Sequence, residues 1–403
     1  MNGRLLTFHV SYFSVLFARA LIHAYLPLSL LQYTNASMFI VGLNYAIPYI
    51  SQLTTMVYFG KVLDNGTSSR RYDFLVILGF SALAMQFVLF YIMGNGSPDA
   101  VIFLVVSIVC NLLATAYVPA VKKYVSALKT RAKQGSALSS LGAVESMSFG
   151  MGSILGGFAF QTVGINVLFL VATISAAGGI VLIIAGRPFV LVEGTFQSNS
   201  QIAVPVLGAS DVGAQPEGLK IFLNFIEIAA FVIILNVSIG LFFPFYSPYM
   251  DSLHGEPFLI GTSNLITAIL GTLVYKVLGR SLDKKHPHFP FVYGSVGYIV
   301  VFLIFIVTTN PIVALVSWAI PVYPYFIGVN YIVAIMTPLQ RRGRAFAIVT
   351  IAQIAGIAAG AIVGGLLLSV PGITFAHVLT IATIGLCISL AIFARAWLTR
   401  RRR

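Results

Sequence analysis

The amino-acid sequence predicts an all-α membrane protein: twelve transmembrane helices in two pseudo-symmetric six-helix bundles, with both termini cytoplasmic. Three observations carry that prediction. Charged residues make up only 9% of the chain, against about 25% in soluble domains, too few to clothe a protein of this length in water. Apolar runs of about 20 residues, the length needed to cross the hydrocarbon core, recur from end to end. Of the 24 lysines and arginines, all but Arg19 fall in one alternating set of the gaps between those runs. The other set, near 34–37, 94–100, 161–165, 250–257, 308–311 and 369–374, holds none. Basic short loops stay on the cytoplasmic side when a chain is threaded through a bilayer.

The runs lie near 8–32, 38–60, 73–94, 100–122, 136–161, 165–186, 220–247, 257–278, 289–309, 311–336, 344–369 and 373–397. The first continues for about 25 residues without a small-residue cleavage site, so it reads as a retained span. Pro244 and Pro248 in the seventh run, and Pro321 and Pro324 in the tenth, are expected to kink their helices, because proline removes a backbone hydrogen bond. The one long polar interruption, 187–219, contains Glu193, Asp211 and Glu217. It reads as a cytoplasmic linker between a bundle at 1–186 and a second at 220–403. Cys110 and Cys387 both sit inside apolar runs and offer neither a disulfide framework nor a metal site. The net charge of +13 is spread over several short segments. That distribution argues against nucleic acid and for attraction to anionic lipid headgroups, above all at the four closing arginines.

The halves repeat. Gly60-Lys61-Val62-Leu63-Asp64 returns as Gly279-Arg280-Ser281-Leu282-Asp283 at an offset of 219, which Gly42 and Gly261 share. Gly135, Gly152, Gly156 and Gly157 return as Gly343, Gly360, Gly364 and Gly365 at an offset of 208. Small residues at this spacing let helices cross closely in a membrane.

With six plus six spans, a central linker and the Gly-xxx-Asp turn after spans 2 and 8, the whole chain resembles the major facilitator superfamily. In that turn an aspartate can meet the positive end of a helix dipole in the other bundle. Asp64 would face the start of span 11 near Arg341, Arg342 and Arg344, and Asp283 the start of span 5 near Lys133. The resemblance makes Gly60, Asp64, Gly279, Asp283, Arg341 and Arg344 a cytoplasmic gate, closed when the protein opens outward. Asn65 and Lys284 follow the aspartates, so the motif departs from the family pattern at that point. Span 5 is similar to the family's antiporter motif in its glycines, but Ser153 stands where proline is usual; span 11 has Ala361 there. Packing is the better explanation of both.

Ionisable groups at bilayer depth are costly and should face the protein interior with a partner. Arg19 lies about 11 residues into the first run, with Tyr12 at i−7 and His23 at i+4 on the same helical face. The resemblance implies that spans 1, 4, 7 and 10 line a central cavity. Tyr12, Arg19 and His23 would then face the substrate path, with Asn111, Tyr117, Asn236, Tyr325 and Asn330 contributing polar wall. A guanidinium fork suits a carboxylate or phosphate; the alternative is an internal salt bridge. Glu145 in span 5, at a depth estimated within about 3 Å of Arg19, is the expected partner. Burial favours the protonated carboxyl and a nearby arginine the ionised one, which makes Glu145 a proton-coupling candidate. Glu227 is a second, nearer the cytoplasmic end.

No Gly-xxxx-Gly-Lys-Ser/Thr loop is present, so energy is expected from an ion gradient, with no cofactor or metal. No nucleophile–histidine set or paired catalytic carboxylates suggest an enzyme. The expectation is a monomeric secondary transporter of the cell membrane, moving a small organic solute, an anion by virtue of Arg19, with proton coupling. The alternatives are a proton-driven exporter of amphipathic or cationic compounds and a transporter-like receptor that moves nothing.

Overall fold

In a computed structural model, residues 3–34, 36–64, 68–95, 100–127, 134–189, 225–283, 289–323, 325–337 and 341–401 are described. Within them the chain is helical throughout. In order come α1 (Gly3–His23), α2 (Leu26–Thr34), α3 (Met38–Asp64), α4 (Ser69–Gly94), α5 (Ala100–Ala114), α6 (Tyr117–Ala127), α7 (Gln134–Val163) and α8 (Ile165–Gly186). After residue 224 follow α9 (Phe225–Gly240), α10 (Tyr246–Ser252), α11 (Pro257–Asp283), α12 (Phe289–Val307), α13 (Pro311–Trp318), α14 (Tyr325–Met336), α15 (Arg342–Leu368) and α16 (Phe375–Arg401). Among the described residues, 9 helical stretches are long and apolar enough to cross a membrane. Helices α3 and α7 are as long but more polar, carrying Asn44, Ser51 and Gln52 in one and Glu145, Ser146 and Ser148 in the other. Most of that polarity is turned inward: Asn44, Ser51, Gln52, Ser146 and Ser148 are buried, while Ile50, Tyr58, Met151, Leu155 and Phe158 are exposed.

Four expected spans are broken, and proline breaks each of them. The first stops at His23, the fourth turns at Thr115–Ala116, the seventh stops at Gly240 and the tenth stops at Trp318. A proline ring clashes with the carbonyl four residues before it. Pro27, Pro119, Pro244 and Pro321 therefore strike at His23, Thr115, Gly240 and Ser317. The sequence reading credited this effect to spans 7 and 10 only; Pro324 lies outside the described residues. Pro48 is the counter-example, since α3 runs through it unbroken.

The most extensive helix pairings are α7 with α11 and α3 with α15. Each joins the first half of the chain to the second, and glycine makes both possible. A methyl group on Gly42 would lie 2.5 Å from the Ala361 carbonyl oxygen, and one on Gly261 would lie 2.6 Å from that of Ser153. Gly60 meets the Gly343 carbonyl as Gly279 meets that of Gly135, and Gly157 meets Pro257 as Gly365 meets Met38. Every one of these pairs maps onto its counterpart by the 219 and 208 offsets of the sequence repeat. The seams are closed along their length. On the first, Met56 packs with Ala347 and Ile354 between the Gly42 and Gly60 contacts. On the second, Gly150 against Ala268 and Gly142 against Tyr275 continue the line from Gly157.

Gly42→Ala should therefore lower the thermal unfolding midpoint in detergent, by an overpacking cost of about 1–3 kcal/mol. Gly178→Ala, where nothing stands within 4 Å, should not lower it.

Candidate functional site

Arg19 lies on α1, one turn before the helix breaks. Its Nη2 donates to the Tyr49 hydroxyl at 3.2 Å, and its guanidinium carbon lies 5.8 Å from the centre of the Tyr49 ring. Tyr45 packs on Tyr49, ring centres 5.2 Å apart, and Tyr45 and Tyr117 stand near enough to act on the cation electrostatically. His23 Nε2 is 3.2 Å from the same Tyr49 oxygen. One hydroxyl can accept from Arg19 while donating to a neutral His23, so the three groups form a single chain. Among the described residues no carboxylate lies within ion-pair distance of Arg19.

The expected Arg19–Glu145 pair is not formed. Glu145 Oε1 instead accepts from the Tyr12 hydroxyl at 2.6 Å, and its nearby positive charge is Lys122. Tyr12, two turns before Arg19 on the same helical stripe, is the residue that reaches the level of Glu145. Lys122 Nζ donates to Thr350 Oγ1 on α15 at 2.9 Å, across the seam. Tyr323 of the second half hydrogen-bonds Ser146, the neighbour of Glu145. The carboxylate thus sits where both halves meet.

Arg19 opens onto a cavity lined only by α1–α5. Its polar wall is a run of buried carboxamides. Gln52 donates to Asn111 at 2.5 Å, Asn111 to Gln86 at 3.3 Å, and Gln86 to Ser107 Oγ at 3.1 Å. A second, small cavity lies between the halves, walled by Phe149, Phe243, Tyr246, Asn264 and Trp318. His23 and Tyr45 line both cavities.

The other expected site residues divide. Asn111 faces the first cavity, and Tyr117 stands between Arg19 and Tyr12, its ring centre 6.2 Å from that of Tyr12. Asn236 and Tyr325 are fully buried against each other, hydroxyl to amide oxygen at 2.8 Å, and line neither cavity. Asn330 on α14 also lines neither. Glu227 falls in the first turn of α9 and Asp283 ends α11, but both side chains lie outside the described residues. Tyr45, Tyr49, Gln52, Gln86, Lys122 and Trp318 were missed. Tyr45, Tyr49 and Gln52 recur at i, i+4 and i+7, one face of a helix, which is the signal that marks them.

At the far end of α3, Asp64 takes up the start of α15. Its carboxylate accepts from the Gly343 and Arg344 backbone N–H groups at 3.0 and 2.9 Å, and from Lys123 Nζ at 2.7 Å. A helix N-terminus favours negative charge there. It is the Arg344 backbone, not its guanidinium, that makes the contact, and Arg341 directly precedes the helix. Gly60 and Gly279 act one turn away, where they let the helices touch.

A family model described as Major Facilitator Superfamily matches residues 8–334. The chain belongs to that superfamily. Among solved structures it is similar to the human organic anion transporter MFSD10 (TETRAN), at TM-score 0.69 and 14% identity, over 96% of this chain and 98% of that one. It is also similar to a bacterial homologue of the iron transporter ferroportin, in an outward-facing state with soaked iron, at TM-score 0.65 and 14% identity, over 97% and 98%. No curated protein matches by sequence. At this identity the two structures show the shared fold alone. With the family, they make the protein a multi-pass membrane transporter of the secondary kind, not an enzyme.

The Asp64 contact yields a test. Asp64→Asn leaves the Lys123 ammonium, 2% exposed, without its counter-charge, a loss of about 3–5 kcal/mol when one partner of a buried pair is removed. Thermal unfolding in detergent should show that loss, and Lys123→Met in the same background should restore part of it.

Proposed function

We propose that this superfamily member carries a small organic anion across the cell membrane by alternating access, with proton coupling. Twelve spans would cross: the nine apolar stretches, α3, α7 and the broken pair α13–α14. Both termini would be cytoplasmic, and one copy would suffice, with residues 1–186 and 220–403 rocking about the linker 187–219. The observation that supports an anion is the set of tyrosines around Arg19. A buried guanidinium needs compensation, and here aromatic rings and hydroxyls supply it while no described carboxylate does. The fork is left to a ligand. In MFSD10 the same fold serves organic anions.

Proton coupling would run through Glu145, which Tyr12 and Tyr117 connect to Arg19. Drawing Tyr117 towards a bound anion frees Tyr12, and with it Glu145 to take up a proton. Lys122 and Thr350 pass that change to the seam. Asp64, with the α15 N-terminus and Lys123, would close the cytoplasmic gate. His23 and Asn111 would contact substrate.

The test is flux into proteoliposomes under an imposed pH gradient, over matched organic anions and cations. Wild type should concentrate an anion. Arg19→Gln should weaken its binding about 10- to 150-fold, the equivalent of about 1.5–3 kcal/mol for a charge-assisted hydrogen bond. Glu145→Gln should retain anion exchange and lose gradient-driven accumulation. Cation transport that survives Arg19→Gln would point to the multidrug-type exporter, and saturable binding without flux to a receptor.

A further inference from the structure

Three of the four proline breaks converge on the second cavity. Ala24, Phe243 and Trp318, each at a broken end of α1, α9 or α13, all border it. Within a membrane, interrupted helix survives only where it is buried in protein or lines a cavity. The walls here are aromatic. Trp318 stacks on Tyr246 with ring centres 4.3 Å apart and planes 13° apart, and Phe243 stands 5.9 Å from Trp318. Their polar handles are already taken. Trp318 Nε1 donates to Asn264 at 3.0 Å, and the Tyr246 hydroxyl to Ser263 at 3.0 Å. What remains for a ligand is ring surface.

The partition between the cavities is thin: His23 and Tyr45 meet edge to face at 5.0 Å, and Tyr45 lies 6.1 Å from Phe243. Arg19 is one helical turn, about 6 Å, from His23. A charged group at Arg19 and a flat apolar group beyond His23 can belong to one molecule.

Building on the anion reading, we infer that the substrate is an amphipathic organic acid. Its carboxylate lies at Arg19, and its aromatic or similarly flat apolar part opens the His23–Tyr45 contact to lie on Phe243 and Trp318. A ligand shifts a conformational equilibrium only through contacts that differ between the states. An occupant confined to the first cavity touches α1–α5 alone and would ride with one half. Reaching the aromatic chamber puts it in contact with both.

Trp318 reports on the chamber directly, since the chain has only 2 tryptophans and Trp397→Phe removes the other. The full-length protein would be titrated with acetate, benzoate, 2-naphthoate and 4-bromobenzoate, with 4-bromobenzyl alcohol as the uncharged control. Affinity should rise about tenfold from acetate to benzoate, the scale of one buried aromatic contact. The bromine should quench Trp318 saturably for the acid but not for the alcohol. Trp318→Leu should cut the naphthoate-to-acetate affinity ratio about tenfold. Arg19-dependent transport of acids with a flat size series and a silent Trp318 would overturn this inference and leave the anion reading standing. Failure of every acid to bind would bring down both.

Discussion

A guanidinium in hydrocarbon must be solvated by the protein that carries it. Around Arg19 that task falls to aromatic groups: a hydroxyl and a ring face from Tyr49, with Tyr45 and Tyr117 close by. Such a shell is weaker than a carboxylate. A cation–π contact contributes on the order of 0.5–2 kcal/mol, whereas a buried ion pair resists losing a partner by several kcal/mol. An arginine locked to Glu145 would have been too well compensated to exchange its partner for cargo. Glu145 instead has its own partners in Tyr12 and Lys122. Cargo and proton are thereby assigned to different groups under the proposed mechanism, with Tyr117 between them.

The helices fall into two mechanical kinds, and residue type sets the kind. Helices α3, α7, α11 and α15 are continuous, and glycine on their facing sides lets backbone touch backbone across the seams. The first, fourth, seventh and tenth expected spans are each cut by a proline. Continuous helices in close contact make good rockers, because a rigid pair can shift as a unit. Interrupted helices make adaptable walls, because their short segments can tilt without breaking a regular hydrogen-bond ladder. Pro48 fits the division despite being a proline: it sits in α3, which is held on both sides, and the helix is not cut.

Much of this was legible in the sequence wherever the geometry demands one residue type. Close backbone approach requires glycine, so the repeat of Gly42, Gly60 and Gly157 in Gly261, Gly279 and Gly365 announced the seams. An acceptor at a helix N-terminus favours an acid, so Asp64 announced its contact with α15. Pairing was not legible. Asn236 and Tyr325 satisfy each other, which no pattern in either segment shows. The Arg19–Glu145 expectation failed because Tyr12, on the same stripe as Arg19, takes the carboxylate instead, with Lys122 nearby. Tyr45 and Tyr49 form a helical stripe, yet tyrosine in a span also serves as an interfacial anchor, and only the fold brings that stripe onto Arg19.

Two neighbouring lysines at the end of the fourth span carry the argument furthest. Lys123 points to Asp64 and the start of α15, while Lys122 reaches Thr350, farther along the same helix, beside Glu145. Adjacent residues on a helix face directions about 100° apart, so one segment, α6, holds α15 at two levels. Its start is fixed by Pro119, which cuts the span and frees α6 from α5. If neutralising Glu145 weakens the pull on Lys122, the change arrives on a short helix already detached from its neighbour and already bonded to the gate. Charge at the centre and closure at the edge then share one lever, and no long chain of intermediates is needed between them.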